Sequence, residues 1–297
     1  MLKILVENTL YGVVDKVEIA IQRLKSFEEM ALKNNPNGFY VCDSGGKDSS
    51  VIKELCKMAG VKFEIAHNHT TADHQETVYF VRKERERWKA LGFIYTINYP
   101  IYKRERTSIW KLIPNKTLPT RMRRWCCEVL KEHGGENRFV VTGVRWAESV
   151  RRKNNRAAYE TFTKKVEDKV MLNNDNDFKR KLTENCITKG KIIINPIIDW
   201  EDDDVWEFIN KYRVPYCVLY DRGYKRIGCI GCPMKNNLEE LESNPKYKNM
   251  YLRAIKRMLI DKPHFLERYG WKNEYDVYDF WTEAVKVQSG SENQLNI

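Results

Sequence analysis

The residues best equipped for chemistry are Ser44-Gly45-Gly46-Lys47-Asp48-Ser49. Two adjacent glycines permit positive φ and let backbone N–H groups approach a ligand closely. Lys47 adds a cationic point charge, and Ser44 and Ser49 add hydroxyl donors. Asp48 is suited to capping a helix or to holding magnesium. The segment needs a strand before it and a helix after it. Phe39–Cys42 is a short apolar run that reads as a buried strand, and Val51, Ile52, Leu55 and Met58 recur at helical spacing beyond. A strand, a glycine turn and a helix N-terminus together form an anion site suited to phosphate.

A second group is sulfur. Of eight cysteines, Cys126-Cys127 form one pair and Cys229-Ile230-Gly231-Cys232 another. Gly228, Gly231 and Pro233 shape a tight turn around the second pair. Four thiolates fit tetrahedral zinc or an iron–sulfur cubane, and adjacent cysteines rarely chelate one zinc. Cys42 and Cys56 read as small buried hydrophobes. Cys186 and Cys217 stand apart, Cys186 as a candidate persulfide carrier.

The 297 residues carry a net charge of +11 and are 42% hydrophobic, so a packed core is feasible and wholesale disorder is excluded. Positive charge clusters at Arg82–Arg87, Lys103–Arg106, Arg121–Arg124 and Arg151–Arg156, which suits an anionic partner such as nucleic acid. No run of about 18 apolar residues exists, and Met1–Val6 is too short for a signal core, so the expectation is a cytoplasmic protein with no membrane contact.

In chain order, residues 10–34 read as helix, ended by Asn34-Asn35-Pro36-Asn37-Gly38. Strands are expected at 39–42, 61–68, 93–99, 138–144 and 191–198, separated by helices. Strand–helix alternation at this spacing implies right-handed crossovers and a parallel sheet. Residues 145–190 read as a polar excursion. Helices return at 202–212, at 239–260 with a break at Pro245, and at 274–287. Tyr251, Ile255 and Leu259 share one face of the second of these, and Lys248, Lys256 and Arg257 mostly face outward. A packed helix is the ordinary meaning, and a basic face for nucleic-acid phosphates is the alternative. The expected organisation is an N-terminal helical segment (1–36), an α/β domain (37–234) and a C-terminal helical extension (235–297).

Ser44–Ser49 resembles the PP-loop of the adenine-nucleotide α-hydrolase superfamily. Further motifs stand in the same order as in the phosphoadenosine-phosphosulfate (PAPS) reductase family, from about residue 38 to 234. They are Trp125-Cys126-Cys127-Glu128, Thr142-Gly143-Val144-Arg145, Asn195-Pro196, Leu219-Tyr220-Asp221-Arg222-Gly223 and Gly228-Cys229-Ile230-Gly231-Cys232. The resemblance implies a Rossmann-like parallel sheet of about five strands with helices on both faces, followed by C-terminal helices. It implies an adenine nucleotide at Ser44, Gly45, Gly46, Lys47, Asp48, Ser49, Gly143 and Arg145, with Mg2+ beside ATP. Similarity to the [4Fe–4S] branch implies a cluster on Cys126, Cys127, Cys229 and Cys232, with Lys131 beside it. Gly143 would admit the adenosine, Arg145 would reach a phosphate, and Arg151 and Arg152 are further anion candidates.

Two features depart from the reductases. No cysteine follows Cys232 to act as their tail nucleophile, and His69-Thr70-Thr71 replaces their Asp-Thr-Gly. The PP-loop, by contrast, has the full form of ATP-cleaving members and is similar to that of the ATP pyrophosphatases of DNA phosphorothioation. The expectation is an ATP pyrophosphatase with Lys47, Asp48, Arg145 and Lys131 in catalytic roles. It would activate an acceptor, nucleic acid by the charge, for sulfur from a donor protein such as a cysteine desulfurase. The alternatives are a sulfonucleotide reductase using an external thiol and a non-catalytic nucleotide-binding iron–sulfur subunit.

Overall fold

The structure, a computed structural model, describes residues 5–9, 12–132, 134–162, 171–172, 191–235 and 238–290. The chain divides into two compact units. The first comprises 1–67, 76–97 and 134–227, and the second 68–75, 98–133 and 228–297.

The first unit opens with a hairpin, β1 (Val6–Thr9) and β2 (Gly12–Asp15), and then α1 (Lys16–Lys25) and α2 (Glu28–Asn34). This corrects the expectation of helix from residue 10. Val13 and Val14 are β-branched and pair with Asn8 and Glu7 across the hairpin. Asp15 then caps α1, its Oδ1 accepting from the Val17 amide at 2.8 Å and the Glu18 amide at 3.2 Å.

The remaining strands are β3 (Phe39–Cys42), β4 (Phe63–Asn68), β5 (Tyr95–Asn98), the β6–β7 ribbon (Ile101–Tyr102, Glu105–Arg106), β8 (Phe139–Val141), β9 (Tyr159–Phe162), β10 (Met171–Leu172) and β11 (Lys191–Ile194). Seven of them form one sheet in the order β10-β9-β11-β8-β3-β4-β5. The β11–β8, β8–β3 and β3–β4 pairs are parallel, and β9 runs antiparallel to β11. The five expected strands are all present. The antiparallel β9 and β10 come from the excursion that read as irregular.

Helices α3 (Lys47–Ala59) and α4 (Gln75–Ala90) follow β3 and β4, and α5 (Ile109–Lys116), α6 (Trp125–Leu130), α7 (Val150–Asn155) and α8 (Asp202–Tyr212) come later. The sheet and α1, α3 and α8 share one core that includes Leu24, Phe39, Val51, Phe139, Ile194 and Phe208. From β3 the chain builds β4 and β5 to one side, then returns to place β8 and β11 on the other. The carboxyl ends of β3 and β8 therefore flank a topological switch point, where open α/β sheets bind ligands.

The second unit packs α5 and α6 with α9 (Glu239–Glu242), α10 (Pro245–Asp261), α11 (His264–Tyr269) and α12 (Glu274–Gly290). Tyr251, Ile255, Met258 and Leu259 of α10 are buried in its core. Lys248 pairs with Glu242 at 2.6 Å and Lys256 lies 3.9 Å from Glu274. The apolar stripe of α10 is thus a packing face. None of the helices is long and apolar enough to cross a membrane among the described residues.

Candidate functional site

The loop between β3 and α3 turns at Gly45 (φ +75°). A Cβ there would stand 2.7 Å from Thr77 Cγ2 and 3.0 Å from Val81 Cγ2, so both the conformation and the packing against α4 require glycine. The loop is held from beneath by Asp43. Its Oδ1 accepts from the Gly45 amide at 2.8 Å and from the Ser49 hydroxyl at 2.9 Å. Its Oδ2 accepts from Lys53 Nζ at 2.6 Å and from the Tyr95 hydroxyl. Lys53 is wholly buried and also reaches Glu84 at 3.2 Å. Burial opposes ionisation of Asp43, but the charges of Lys53 and His67 and the hydrogen bonds from Lys53 and Tyr95 together outweigh it and hold the carboxyl well below the usual range. The sequence reading passed over Asp43, Lys53, Glu84 and Tyr95 as site residues.

Above this base stands the first turn of α3, whose leading amides have no intrahelical acceptor. Tyr220 accepts from the Lys47 amide at 2.9 Å. Lys47 Nζ lies 3.0 Å from Asp202 Oδ1 and 3.5 Å from Asp48 Oδ2. Gly46, not Asp48, is the N-cap of α3, so the capping role expected of Asp48 falls away. Asp48 sits in the first turn and accepts from Arg145 Nε at 2.7 Å.

Arg145 is buried. It also donates to the Trp200 carbonyl at 3.1 Å and to Asp202 at 2.6 Å. Its guanidinium braces the loop's carboxylates in this conformation. Gly143 meets the backbone of Asp48: a Cβ would lie 3.0 Å from the Asp48 carbonyl carbon and oxygen. The glycine therefore lets β8 approach α3. Ser44 Oγ lies 3.2 Å from Ser49 Oγ and accepts from the Gly46 amide. Ser49 is buried and committed to Asp43 and the Gly46 carbonyl. Arg152 is half-buried and pairs with Glu148. The side chain of Arg151, and Cys186, lie outside the described residues.

The second unit brings Cys126, Cys127, Cys229 and Cys232 into mutual electrostatic range, all as free thiols. Three segments are stitched together around them. The Ile230 amide donates to the Ala72 carbonyl at 2.8 Å. Arg121 donates to the carbonyls of Pro233 at 3.0 Å and Lys235 at 2.9 Å. Cys229 Sγ is 3.2 Å from the Thr70 hydroxyl. Gly231 (φ +73°) abuts Tyr251, whose ring would stand 2.7 Å from an added Cβ.

Arg124 donates to Cys127 Sγ at 3.2 Å. A hydrogen bond from Cys126, then Arg124, lowers the Cys127 thiol to about 5, while the same bond raises Cys126. Lys131 is exposed as a residue, yet the charge of Cys229, then of Asp73 and Cys232, raises its ammonium. No three of the four sulfurs lie within 4.8 Å of one another among the described residues. A single zinc with Zn–S bonds of about 2.3 Å would draw its sulfurs to about 3.8 Å. The wider thiol set with cations beside it fits a multi-iron cluster better. Cys217 is buried in the first unit, apart from this set.

The family model described as "Phosphoadenosine phosphosulfate reductase domain" matches residues 39–235. An uncharacterized protein of Methanocaldococcus jannaschii is 29% identical over 269 residues, covering 87% of this chain and 58% of its own length. The chain thus spans little more than half of that relative. An adenosine 5'-phosphosulfate reductase of Geobacillus thermodenitrificans is 29% identical over 198 residues, 65% of this chain and 71% of its own. The crystal structure of phosphoadenylyl-sulfate reductase from Candida auris, a phosphate complex, aligns at TM-score 0.45 and 19% identity, covering 71% of this chain and 87% of that one.

Proposed function

The chain belongs to the phosphoadenosine phosphosulfate reductase domain family, and on that premise we propose that it binds ATP at the β3–α3 loop and cleaves it to AMP and pyrophosphate, activating an acceptor for sulfur. The observation that carries this reading is the loop itself. Gly45 makes its turn, Asp43 and Lys53 fix it from below, and Lys47 stands over the first turn of α3. Such a site binds phosphates through amides and a fixed cation.

Lys47 and Arg145 are held by Asp48 and Asp202 in the described conformation. ATP entry exchanges those carboxylates for phosphate oxygens at Lys47, while Asp48 is available to Mg2+. Arg145 keeps the loop and α8 in register. Negative charge that develops on the departing pyrophosphate is met by Lys47 and the helix amides, without reorganisation of the loop.

A [4Fe–4S] cluster would be held by Cys126, Cys127, Cys229 and Cys232. When bound it supplies an iron site able to carry sulfur, or a structural staple. Arg124 and Lys131 offset its negative charge. The acceptor proposed is nucleic acid, on the grounds of net charge, and a sulfur-donor protein would supply the sulfur.

The test is ATP–pyrophosphate exchange by anaerobically purified protein supplied with RNA or DNA as acceptor. Lys47→Ala is expected to abolish it while the fold is kept. Exchange at the wild-type rate in that variant would remove the loop from the reaction. The named Geobacillus relative favours a second reading, reduction of a sulfonucleotide with an external thiol. Sulfite release from adenosine 5'-phosphosulfate, with no exchange from ATP, would establish it instead.

A further inference from the structure

The second unit contains an aromatic slot that neither the loop nor the thiols use. It is a cavity of about 170 Å3 whose lining includes Phe265, Tyr269, Trp271, Phe280, Trp281 and Arg123. Tyr269 and Trp271 stack at 4.6 Å between ring centroids, and Trp271 meets Phe280 at 5.4 Å. Tyr269 and Phe280 remain 39% and 40% exposed, which is unusual for rings that could have closed on one another.

Arg123 is exposed; its amide donates to Thr120 Oγ1 at 3.0 Å, but its guanidinium has no hydrogen-bond or ion-pair partner among the described residues. It also lines a second, open cleft of about 590 Å3 with Lys116, Arg124 and Cys127, where Glu128 and Glu132 are the only acids. Lys262 sits nearby. Its pKa is lowered by burial and then by repulsion from Arg123, against the opposing charge of Asp261, and its Nζ donates to the Asn115 carbonyl at 2.7 Å. Residues 98–133 carry nine Lys and Arg against three Asp and Glu. The Phe280 helix itself is acidic, with Glu274, Asp276, Asp279 and Glu283, so the cations for a polyanion are those of residues 98–133.

We propose that this slot takes one unpaired base of a single-stranded nucleic acid, whose phosphates then run past Arg123 and Lys116 toward Cys127. A planar base stacks on aromatic faces whatever its sequence, and cations track the backbone beside it. The cavity is too small for a folded ligand of drug size and suits one ring system. This deepens the reading of nucleic acid as acceptor and rests on it. The slot would hold a neighbour of the reacting nucleotide, setting which position reaches the thiol end.

Fluorescein-labelled 12-mers of single-stranded RNA and DNA would be titrated against the full chain, anaerobically, followed by anisotropy. Trp271→Ala and Phe280→Ala are expected to weaken binding about 5- to 100-fold, the effect of losing one base–aromatic stack. An oligonucleotide with one abasic position at the preferred site should lose the same factor against wild type and nothing further against Trp271→Ala. Arg123→Gln should flatten the dependence of log affinity on log salt by about 0.7 on a single strand.

Equal affinity of wild type and folded slot variants would overturn the proposal, as would absence of oligonucleotide binding by wild type. Capture of an apolar peptide in place of the oligonucleotide would also overturn it. ATP binding, measured on the same preparations by equilibrium dialysis without nucleic acid, separates these outcomes from failure of the ATP reading.

Discussion

Replacing Lys53 by Met removes one ammonium and leaves two carboxylates facing an apolar side chain. Lys53 Nζ stands 2.6 Å from Asp43 Oδ2 and 3.2 Å from Glu84 Oε2, with no part of Lys53 exposed. At an effective dielectric of about 20 these attractions are worth about 6 and about 5 kcal/mol gross. Desolvation of three charges offsets most of that, so the net loss on removing the shared partner is about 3–5 kcal/mol. Asp43→Asn should cost less, about 1.5–3 kcal/mol, because Lys53 keeps Glu84 and the Oδ1 contacts to the loop survive.

The penalty in Lys53→Met exists only while both carboxylates are charged. Without the cation the folded-state pKa of Asp43 rises, so protonation relieves the variant as pH falls. The gap to wild type should therefore narrow from pH 7 to pH 5. Urea unfolding at both values reads this as a shift in midpoint at constant slope. A loss under about 1 kcal/mol, or a gap equal at the two pH values, would refute the account of the buried network.

Three other outcomes are expected. Gly45→Ala should abolish ATP–pyrophosphate exchange and cost about 1–3 kcal/mol, since positive φ and the 2.7 Å approach to Thr77 both oppose a Cβ; unchanged thermal stability and exchange would contradict this. Anaerobically purified protein should hold about four irons per chain; Cys232→Ser should lose them and Cys56→Ser keep them, and a single zinc in the wild type would count against the cluster. Because Asp43 is held below its ordinary range, its contribution to stability is present above about pH 4 and lost as pH falls through the lower folded value. Asp43→Asn should flatten that acid limb of the stability curve, and an unchanged limb would show that another group sets it.

The parts legible in the sequence are those set by neighbours in the chain. Phe39–Cys42, the two glycines and the apolar spacing of 51–58 are local signals, and strand, turn and helix follow there as expected. Pro245 likewise falls at the first turn of its helix, where its missing N–H costs nothing. The hairpin of residues 6–15 was missed because a helical period was extended through Val13 and Val14. Asp15, two residues before Val17, was an available N-cap signal. The buried network was less accessible. Lys53 lies between Ile52 and Leu55 on an amphipathic helix, where lysine is ordinarily solvated. Its burial depends on Asp43, Glu84 and Tyr95, contributed by three other stretches of chain. No spacing rule within α3 encodes them.

The same distinction bears on the alternative of a basic face on α10. Outward lysines on α10 have the pattern of an interface, but acids of the flanking helices claim Lys248, with Glu242, and approach Lys256, with Glu274. Arg123 belongs to the basic cluster Arg121–Arg124, in an irregular stretch after Pro119, and its side-chain charge is left unpaired by what the fold puts around it. A charge recruits an anion only if the folded chain has not already neutralised it, and that balance is a property of tertiary contacts. Counting Lys and Arg in the sequence indicates that a polyanion is attracted. Subtracting the paired ones in the structure favours the Arg121–Arg124 cluster over α10, at the aromatic slot and the cleft that contains Cys127.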